Sequence, residues 1–300
     1  MSEHLNKFTD ELHFLNDSCL RLSQLEVLND PYEALPKLLL NSYSEDDWRR
    51  GRKRAAQPGE MTDEEIEDFV LHPFPSMRFD EERFPGLWPV TERRLQDEPF
   101  ETQAELDTAL ARRAVERIVA QAYQTIGIIS FSSTENEVLW SHYADAHKGI
   151  MISFNPNHGF FSGKLRPVLY SDTGVSVSSN GGTLRLAGEK LNPSEILDGT
   201  RLPIPLELFL RKTTSWSYEG EVRIIQPLQS ADDCSQARDG RPLYKLRFPA
   251  EAVQSITFGY LREPHTVDSD VRRLRRTPLW QGVRIYKRRW TASGVVIDSI

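Results

Sequence analysis

Apolar positions along the chain fall into two textures that change near residue 125. From Glu105 to Tyr123, Leu106, Leu110, Val115, Ile118, Val119, Ala122 and Tyr123 recur at helical spacing, which predicts a long amphipathic helix. The next run, Ile126-Gly127-Ile128-Ile129-Ser130-Phe131-Ser132, is β-branched and aromatic and bounded by polar residues, the pattern of a buried strand. Ser133-Thr134-Glu135-Asn136 supplies cap residues for a helix to about His147, with Val138, Leu139, Tyr143 and Ala146 inward and Gly149 ending it. Strand texture resumes over 150–154, and again over 165–170, 221–226, 243–248, 253–259, 283–289 and 294–298. Helices are expected near 194–199, 204–213 and 266–275. The predicted class is α+β: a mixed, mainly antiparallel β core flanked by helices, in a single domain over 1–300 whose β-rich core is 125–300.

The N-terminal half carries a polar insertion, 45–110. Arg49-Arg50-Gly51-Arg52-Lys53-Arg54 is basic, and Glu60 to Asp68 follows with six acids and no base. Five prolines between 73 and 99, mixed with Phe74, Phe79, Phe84, Leu87 and Trp88, make 71–100 an extended loop or lid. Residues 171–189, rich in Ser, Gly and Thr, read as a mobile surface loop.

Composition narrows the class without naming a function. With 39% hydrophobic residues, 27% charged and a net charge of −7, the chain is globular rather than disordered. No apolar run approaches the ~18 residues of a spanning helix. Met1-Ser2-Glu3-His4 lacks the basic-then-apolar layout of a secretory leader. A cytoplasmic protein without a membrane partner is expected. Cys19 and Cys234 stand far apart and outside any CxxC spacing, so two buried or inert thiols are expected and no metal.

Four constellations could carry chemistry. Ser130-Phe131-Ser132-Ser133 ends a strand just before a helix, where hydroxyls and free amides can face one cleft; the plainer reading is that Ser132 or Ser133 only caps the helix. Trp140-Ser141-His142-Tyr143-Ala144-Asp145-Ala146-His147-Lys148-Gly149 puts Tyr143 and His147 on one helical face with His142 nearer its edge. The histidines are five apart, a poor chelate, and His147 can equally be a helix-end charge. Lys212 precedes Trp216-Ser217-Tyr218-Glu219-Gly220-Glu221-Val222-Arg223, where strand alternation projects Glu219, Glu221 and Arg223 on one face, as a pocket wall or as a solvent-facing ladder. Val271 to Trp290 holds eight basic residues and no acid, leaving −15 for the remainder. It could meet nucleic acid or an acidic protein, with Trp280, Tyr286 and Trp290 for stacking, or it could balance acidic faces of the same fold.

These motifs resemble a mainly bacterial family catalogued as domain of unknown function 2971. Leu20-Arg21-Leu22-Ser23 and Asn29-Asp30-Pro31-Tyr32-Glu33 resemble its early motif. Ile129 to Ser132, Leu139 to Ala144, His147-Lys148-Gly149 and Lys212…Trp216 to Arg223 resemble its later signatures, in family order over residues 20–260. The short aromatic-Lys-Tyr strand that often opens the family is represented only by Asn6-Lys7-Phe8, and the insertion is longer than the family needs.

The order strand, Ser-x-Ser, helix, strand, Glu-x-Glu is similar to the ADP-ribosyltransferase layout. That similarity implies a transferase fold using NAD. Ser130 and Ser132 would then shape the pocket, His142, Tyr143, His147, Lys212, Trp216 and Arg223 would contribute to a nucleotide-like site, Glu221 would be the catalytic carboxylate and Glu219 its target-orienting partner. Lys7, His13 or Arg21 would stand for the opening basic residue. Glu221→Gln should then abolish NAD turnover and leave the melting temperature nearly unchanged. The competing readings are a nuclease or nucleotide hydrolase using His142, His147 and the two acids, and a non-enzymatic ligand-binding module. Both enzyme readings ask that Ser132, His147, Glu221 and Arg223 converge on one pocket.

Overall fold

A computed structural model describes residues 5–15, 17–28, 37–38, 103–172, 176–180, 183–186, 189–191, 202–237 and 240–300. The chain divides into two compact units: Met1–Pro31, Thr125–Asp172 and Lys212–Ile300 form one, Tyr32–Gln124 and Thr173–Arg211 the other. The class is α+β, as the sequence predicts.

The first unit is built on a nine-stranded sheet. Its strands are β1 (Leu5–Thr9), β2 (Ser23–Gln24), β3 (Ile126–Ser132), β4 (Ile150–Phe154), β5 (Leu165–Pro167), β6 (Glu221–Pro227), β7 (Val253–Phe258), β8 (Arg284–Thr291) and β9 (Gly294–Ser299). They lie in the order β9-β8-β7-β4-β1-β3-β6-β5, with β2 also pairing β3. The continuous apolar run of β3 follows from its central place: Ile128, Ile129 and Phe131 are buried between β1 and β6. Phe131, Phe154 and Phe161 meet edge to face with centroids 5.6 to 5.8 Å apart, the geometry that the ring quadrupoles favour. Phe248 and Trp280 extend that core. Within this sheet every described pairing is antiparallel except β7 with β8, and a parallel pair needs a crossover. Helix α3 (Pro264–Arg276) supplies it; Pro264 opens its first turn, Val267 and Leu274 are buried, and Arg273, Arg275 and Arg276 sit at the negative end of its dipole.

In the second unit, Ser176–Asn180 and Thr183–Leu186 form a hairpin flanked by Glu189–Leu191 and Lys37–Leu38. Helix α1 (Gln103–Thr125) matches the predicted amphipathic helix, with Ile118 and Ala122 buried. The Gln121 amide donates to Leu202 O (2.8 Å) and accepts from Leu202 N–H (3.0 Å), satisfying both main-chain groups of that residue.

Several expectations are corrected. Residues 176–180 and 183–186, read as loop from their Ser/Gly content, are strands whose alternation is carried by few apolar residues, Leu186 among them. The helix placed at 204–213 is only a 3-10 turn, Leu206–Phe209, followed by a short strand, Arg211–Lys212. Pro203 and Pro205 disfavour helical backbone at the residues before them and delay the start. Helix α2 (Glu137–Tyr143) stops at Tyr143, short of His147, because Asp145, Ala146 and His147 adopt positive φ of 43°, 47° and 69°. Cys234 is exposed, whereas Cys19 is buried as expected. The helix near 194–199, the lid at 71–100 and the insertion up to residue 102 lie outside the described residues. No described helix is long and apolar enough to cross a membrane.

Candidate functional site

The site forms where β1, β3 and β6 lie side by side. Ser132 of β3 is in register with Asn6 of β1 on one side and with Glu221 of β6 on the other. Since side chains alternate along a strand, this register brings the polar ends of all three strands together.

Glu219 reaches the same place by a different route from the one its spacing predicts. It does not belong to the strand: it ends a 3-10 segment, Thr214–Glu219, and the strand begins at Glu221. Gly220 between them has φ +52°, and a Cβ there would come within 2.8 Å of Ser133 Oγ and of Thr134 Cγ2. Glycine is therefore required by both backbone conformation and space. The turn is clamped from β3 and the start of α2. Ser133 donates to Gly220 O through N–H (2.8 Å) and Oγ (2.7 Å), Asn136 Nδ2 donates to Tyr218 O (2.8 Å), and Ser132 Oγ lies 2.5 Å from Glu219 O. Asn136 also caps α2, accepting from Leu139 N–H at 3.0 Å, so the capping role considered for Ser132 or Ser133 falls to Asn136.

Four charged side chains meet here, each 6% exposed or less. Arg223 donates to Glu221 through both Nε and Nη2 at 2.8 Å, a bidentate fork. Lys212 Nζ donates to Glu219 at 2.7 Å and to Glu221 at 3.4 Å. Tyr143 donates its hydroxyl to Glu219, the Ser130 hydroxyl bonds the Glu221 carboxylate, and Tyr170 Oη accepts from Glu221 N–H at 2.7 Å. Two cations offset two anions, the condition under which such charges tolerate burial.

The surroundings set the ionisation of each group. Burial draws the Lys212 ammonium down, but Glu221 and Glu219 outweigh it and hold it above its ordinary value. Burial pushes the Glu221 carboxyl up against the opposing pull of Lys212 and Ser130. Burial, then Glu219, drives the Tyr143 phenol far above its usual range; burial takes Tyr170 to about 12. Lys7 is brought down to about 8 by burial, with Glu221 opposing and Arg21 adding to the drop.

Above this network lies a cavity of about 200 Å³, with Lys7, Ser130, Ser132, Tyr143, Glu219 and Glu221 in its polar wall and Phe8, Val27, Leu28 and Leu139 in its apolar wall. Its volume is below the ~300–1,000 Å³ of sites that enclose a whole drug-sized ligand. It accommodates a ring or a sugar, not an entire dinucleotide.

Of the residues singled out in the sequence, Ser130, Ser132, Tyr143, Lys212, Glu219 and Glu221 line this cavity. Arg223 is fully buried and acts through Glu221, while Trp216 lies over the Lys212 ammonium at 4.6 Å rather than against the cavity. His142 is exposed, with Nδ1 3.5 Å from Tyr218 Oη. His147 stands apart, its ring 4.7 Å from that of Tyr260 and its Nδ1 3.6 Å from Glu137. Of the four residues that the enzyme readings ask to converge, Ser132 and Glu221 line the cavity, Arg223 lies behind Glu221, and His147 is elsewhere. Part of the basic segment is used by the fold itself, while Arg272, Arg273, Arg276 and Arg284 are exposed. Trp280 is core, Arg275 donates to the carbonyls of Gln281 and Val283, Lys287 to those of Gly259 and Arg262, and Arg288 and Arg289 meet Glu137 and Asp298. Tyr170 escaped the sequence reading, since one Tyr beside a Ser-rich stretch gives no pattern to detect, and Asn6 enters it only within Asn6-Lys7-Phe8, with no role at the site.

No known family model, curated protein or solved structure matches the chain.

Proposed function

We propose that this cavity binds the nicotinamide–ribose end of NAD and that the protein is an ADP-ribosyltransferase-like enzyme. The observation that carries the reading is the strand order β1-β3-β6 with Ser132 in register with both Asn6 and Glu221, which gathers a basic residue, a Ser-x-Ser and a Glu-x-Glu around one cavity. Those are three of the features the motif similarity asks for, with Lys7 as the opening basic residue; His142, His147 and Trp216, which it also asks for, lie outside the cavity wall.

The chemistry follows from the charges. As the bond from ribose C1 to nicotinamide breaks, nicotinamide leaves neutral and positive charge develops on the ribose. Glu221, fixed in place by Arg223, offers a preorganised carboxylate to that charge. An acceptor or water then bonds C1 and releases its proton to solvent. A ribose hydroxyl can reach Glu221 by replacing the Lys212 contact, at 3.4 Å the longest in the cluster. Glu219 is already bonded by Lys212 and Tyr143, so its part is to hold Lys212 and shape the wall.

The test is release of free nicotinamide from NAD by the wild type, by Glu221→Gln, and by Glu221→Gln combined with Arg223→Gln. Release by the wild type that both variants lack supports the reading. Equal release by the folded double variant removes Glu221 as the reacting carboxylate. A second reading, ligand binding without turnover, is favoured by one observation: Arg223, Lys212 and Ser130 already supply donors to nearly every lone-pair direction of Glu221. Calorimetric binding of NAD without nicotinamide release distinguishes it.

A further inference from the structure

Two lysines line the cavity in different surroundings. Lys212 is held as a cation by two glutamates. Lys7 has no carboxylate within ion-pair distance among the described residues, and its Nζ donates to a main-chain carbonyl, Ser130 O, at 2.8 Å. It is half-buried, and the acids that could balance it are taken by Lys212 and Arg223. Nothing in the proposed transfer uses its nitrogen as a nucleophile.

We infer that Lys7 is a reactive amine that condenses with the aldehyde of an open-chain pentose, or pentose phosphate, entering this cavity. The wall suits such a ligand: Ser130, Ser132 and Tyr143 bear hydroxyls, Glu219 and Glu221 carboxylates, and the volume of about 200 Å³ fits a five-carbon sugar. In the condensation the Lys7 nitrogen lone pair forms a bond to the carbonyl carbon. The carbonyl oxygen takes a proton to give a carbinolamine, and loss of water leaves the imine. Only the neutral amine can attack, and a lysine with its midpoint near 8 is neutral far more often at pH 7.5 than an exposed lysine with an ordinary value of 10.5. The groups facing Lys7 that set this balance are Glu221, which favours the cation, and Arg21, which opposes it, with Tyr143, Lys212 and Glu219 on the same cavity wall. This inference goes beyond the transferase reading and holds whether or not NAD is cleaved.

The experiment is trapping with ribose 5-phosphate and sodium cyanoborohydride at pH 7.5 on the full chain, read by intact mass and by peptide mapping. The cyanoborohydride supplies the hydride that converts the imine to a stable secondary amine. Expected is an adduct on Lys7 formed about tenfold or more faster than on the exposed Lys148, absent from Lys7→Arg, and slowed by ribitol 5-phosphate, which has no carbonyl. On the wild type, the Lys7 rate should reach half its plateau near pH 8, a profile that does not depend on a variant folding. Adducts spread over exposed lysines with Lys7 unlabelled, or a Lys7 rate with no midpoint near pH 8, overturn the inference. Nicotinamide release is scored separately, so failure of trapping leaves the transferase reading standing and the reverse also holds.

Discussion

Two cation clusters lean on different faces of α2. Toward one face, Leu139 and Tyr143 line the cavity beside Lys212, Glu219, Glu221 and Arg223. Toward the other, the Arg288 guanidinium lies 4.6 Å over the Trp140 ring and donates to Glu137, which is largely exposed. The first cluster is closed: two cations, two anions and a bidentate fork, all buried. The second is open. Among the described residues, buried Arg288 Nε and Nη1 and His147 Nδ1 have no hydrogen-bond partner; Nε reaches Glu135 only at 3.7 Å and Nδ1 reaches Glu137 only at 3.6 Å. The first therefore depends on every member, because removing one leaves a full charge uncompensated in a poorly solvated place. The second is held by aromatic packing, and its two acids, Glu135 and Glu137, both reach water.

The largest expected effect follows directly. Glu221→Gln should destabilise the fold by about 3–5 kcal/mol, because it strands Arg223. Burial thus corrects the expectation that this variant would leave the melting temperature nearly unchanged. Adding Arg223→Gln should recover most of the loss, to within about 1–2 kcal/mol of the wild type, since the remaining Lys212 and Glu219 still balance. Urea unfolding of the two single variants and the double variant measures the coupling. Additive losses would show that the fork is not the stabilising contact described here.

Next comes the turn that gives the closed cluster its second acid. Gly220→Ala puts an L-residue in left-handed backbone, a cost of about 1–2 kcal/mol, and crowds Ser133 and Thr134. Glu219 and Glu221 could then no longer hold Lys212 together, so stability should fall by at least that amount and any NAD turnover with it. A variant of unchanged stability would mean that the turn relaxes without disturbing the acids.

What could be read in advance follows the same division. Periodicity found β3, β4, β6, β7, β8 and both longer helices, because each buries a patterned face in the core; β9 was found by its β-branched run although none of its residues is buried. The spacing of Glu219, Glu221 and Arg223 marked the right residues for partly the wrong reason: one strand face was expected, and a left-handed glycine joins two elements instead. Lys7 was visible only as a possible opening residue, since the pairing of β1 with β3 spans more than a hundred residues and leaves no local trace. His147 was equally prominent in sequence, yet its surroundings are made by Tyr260 and Arg288, which come from far along the chain.

The open cluster should respond in the opposite sense to the closed one. Arg288→Met keeps much of the side-chain volume against Trp140, removes two buried N–H groups that lack partners, and leaves Glu137 free to be hydrated. Its stability should stay within about 1 kcal/mol of the wild type or exceed it. Nicotinamide release, if present, should not change, because Arg288 does not line the cavity. Destabilisation by several kcal/mol, as expected for loss of Arg223, would erase the contrast between the clusters.

The smallest effect concerns the loop that brings His147 to Tyr260. Three successive non-glycine residues, Asp145, Ala146 and His147, hold positive φ, and the loop is fixed from both ends. His147 N–H donates to Trp140 O at 3.1 Å, Gly149 N–H to Ala144 O at 2.7 Å, and Leu261 N–H to His147 O at 3.1 Å. A Cβ on Gly259 would collide with His147 O, so the two segments meet backbone to backbone. Such over-determination is what keeps a strained conformation populated. Ala146 is exposed, so its methyl contributes strain without packing. Ala146→Gly should therefore raise stability by up to about 1 kcal/mol, relief of the left-handed strain outweighing the added freedom of the unfolded chain. A loss of stability in chemical denaturation would mean that the Ala146 side chain or a stiffer unfolded chain matters more than the strain, and that the loop is relaxed as built.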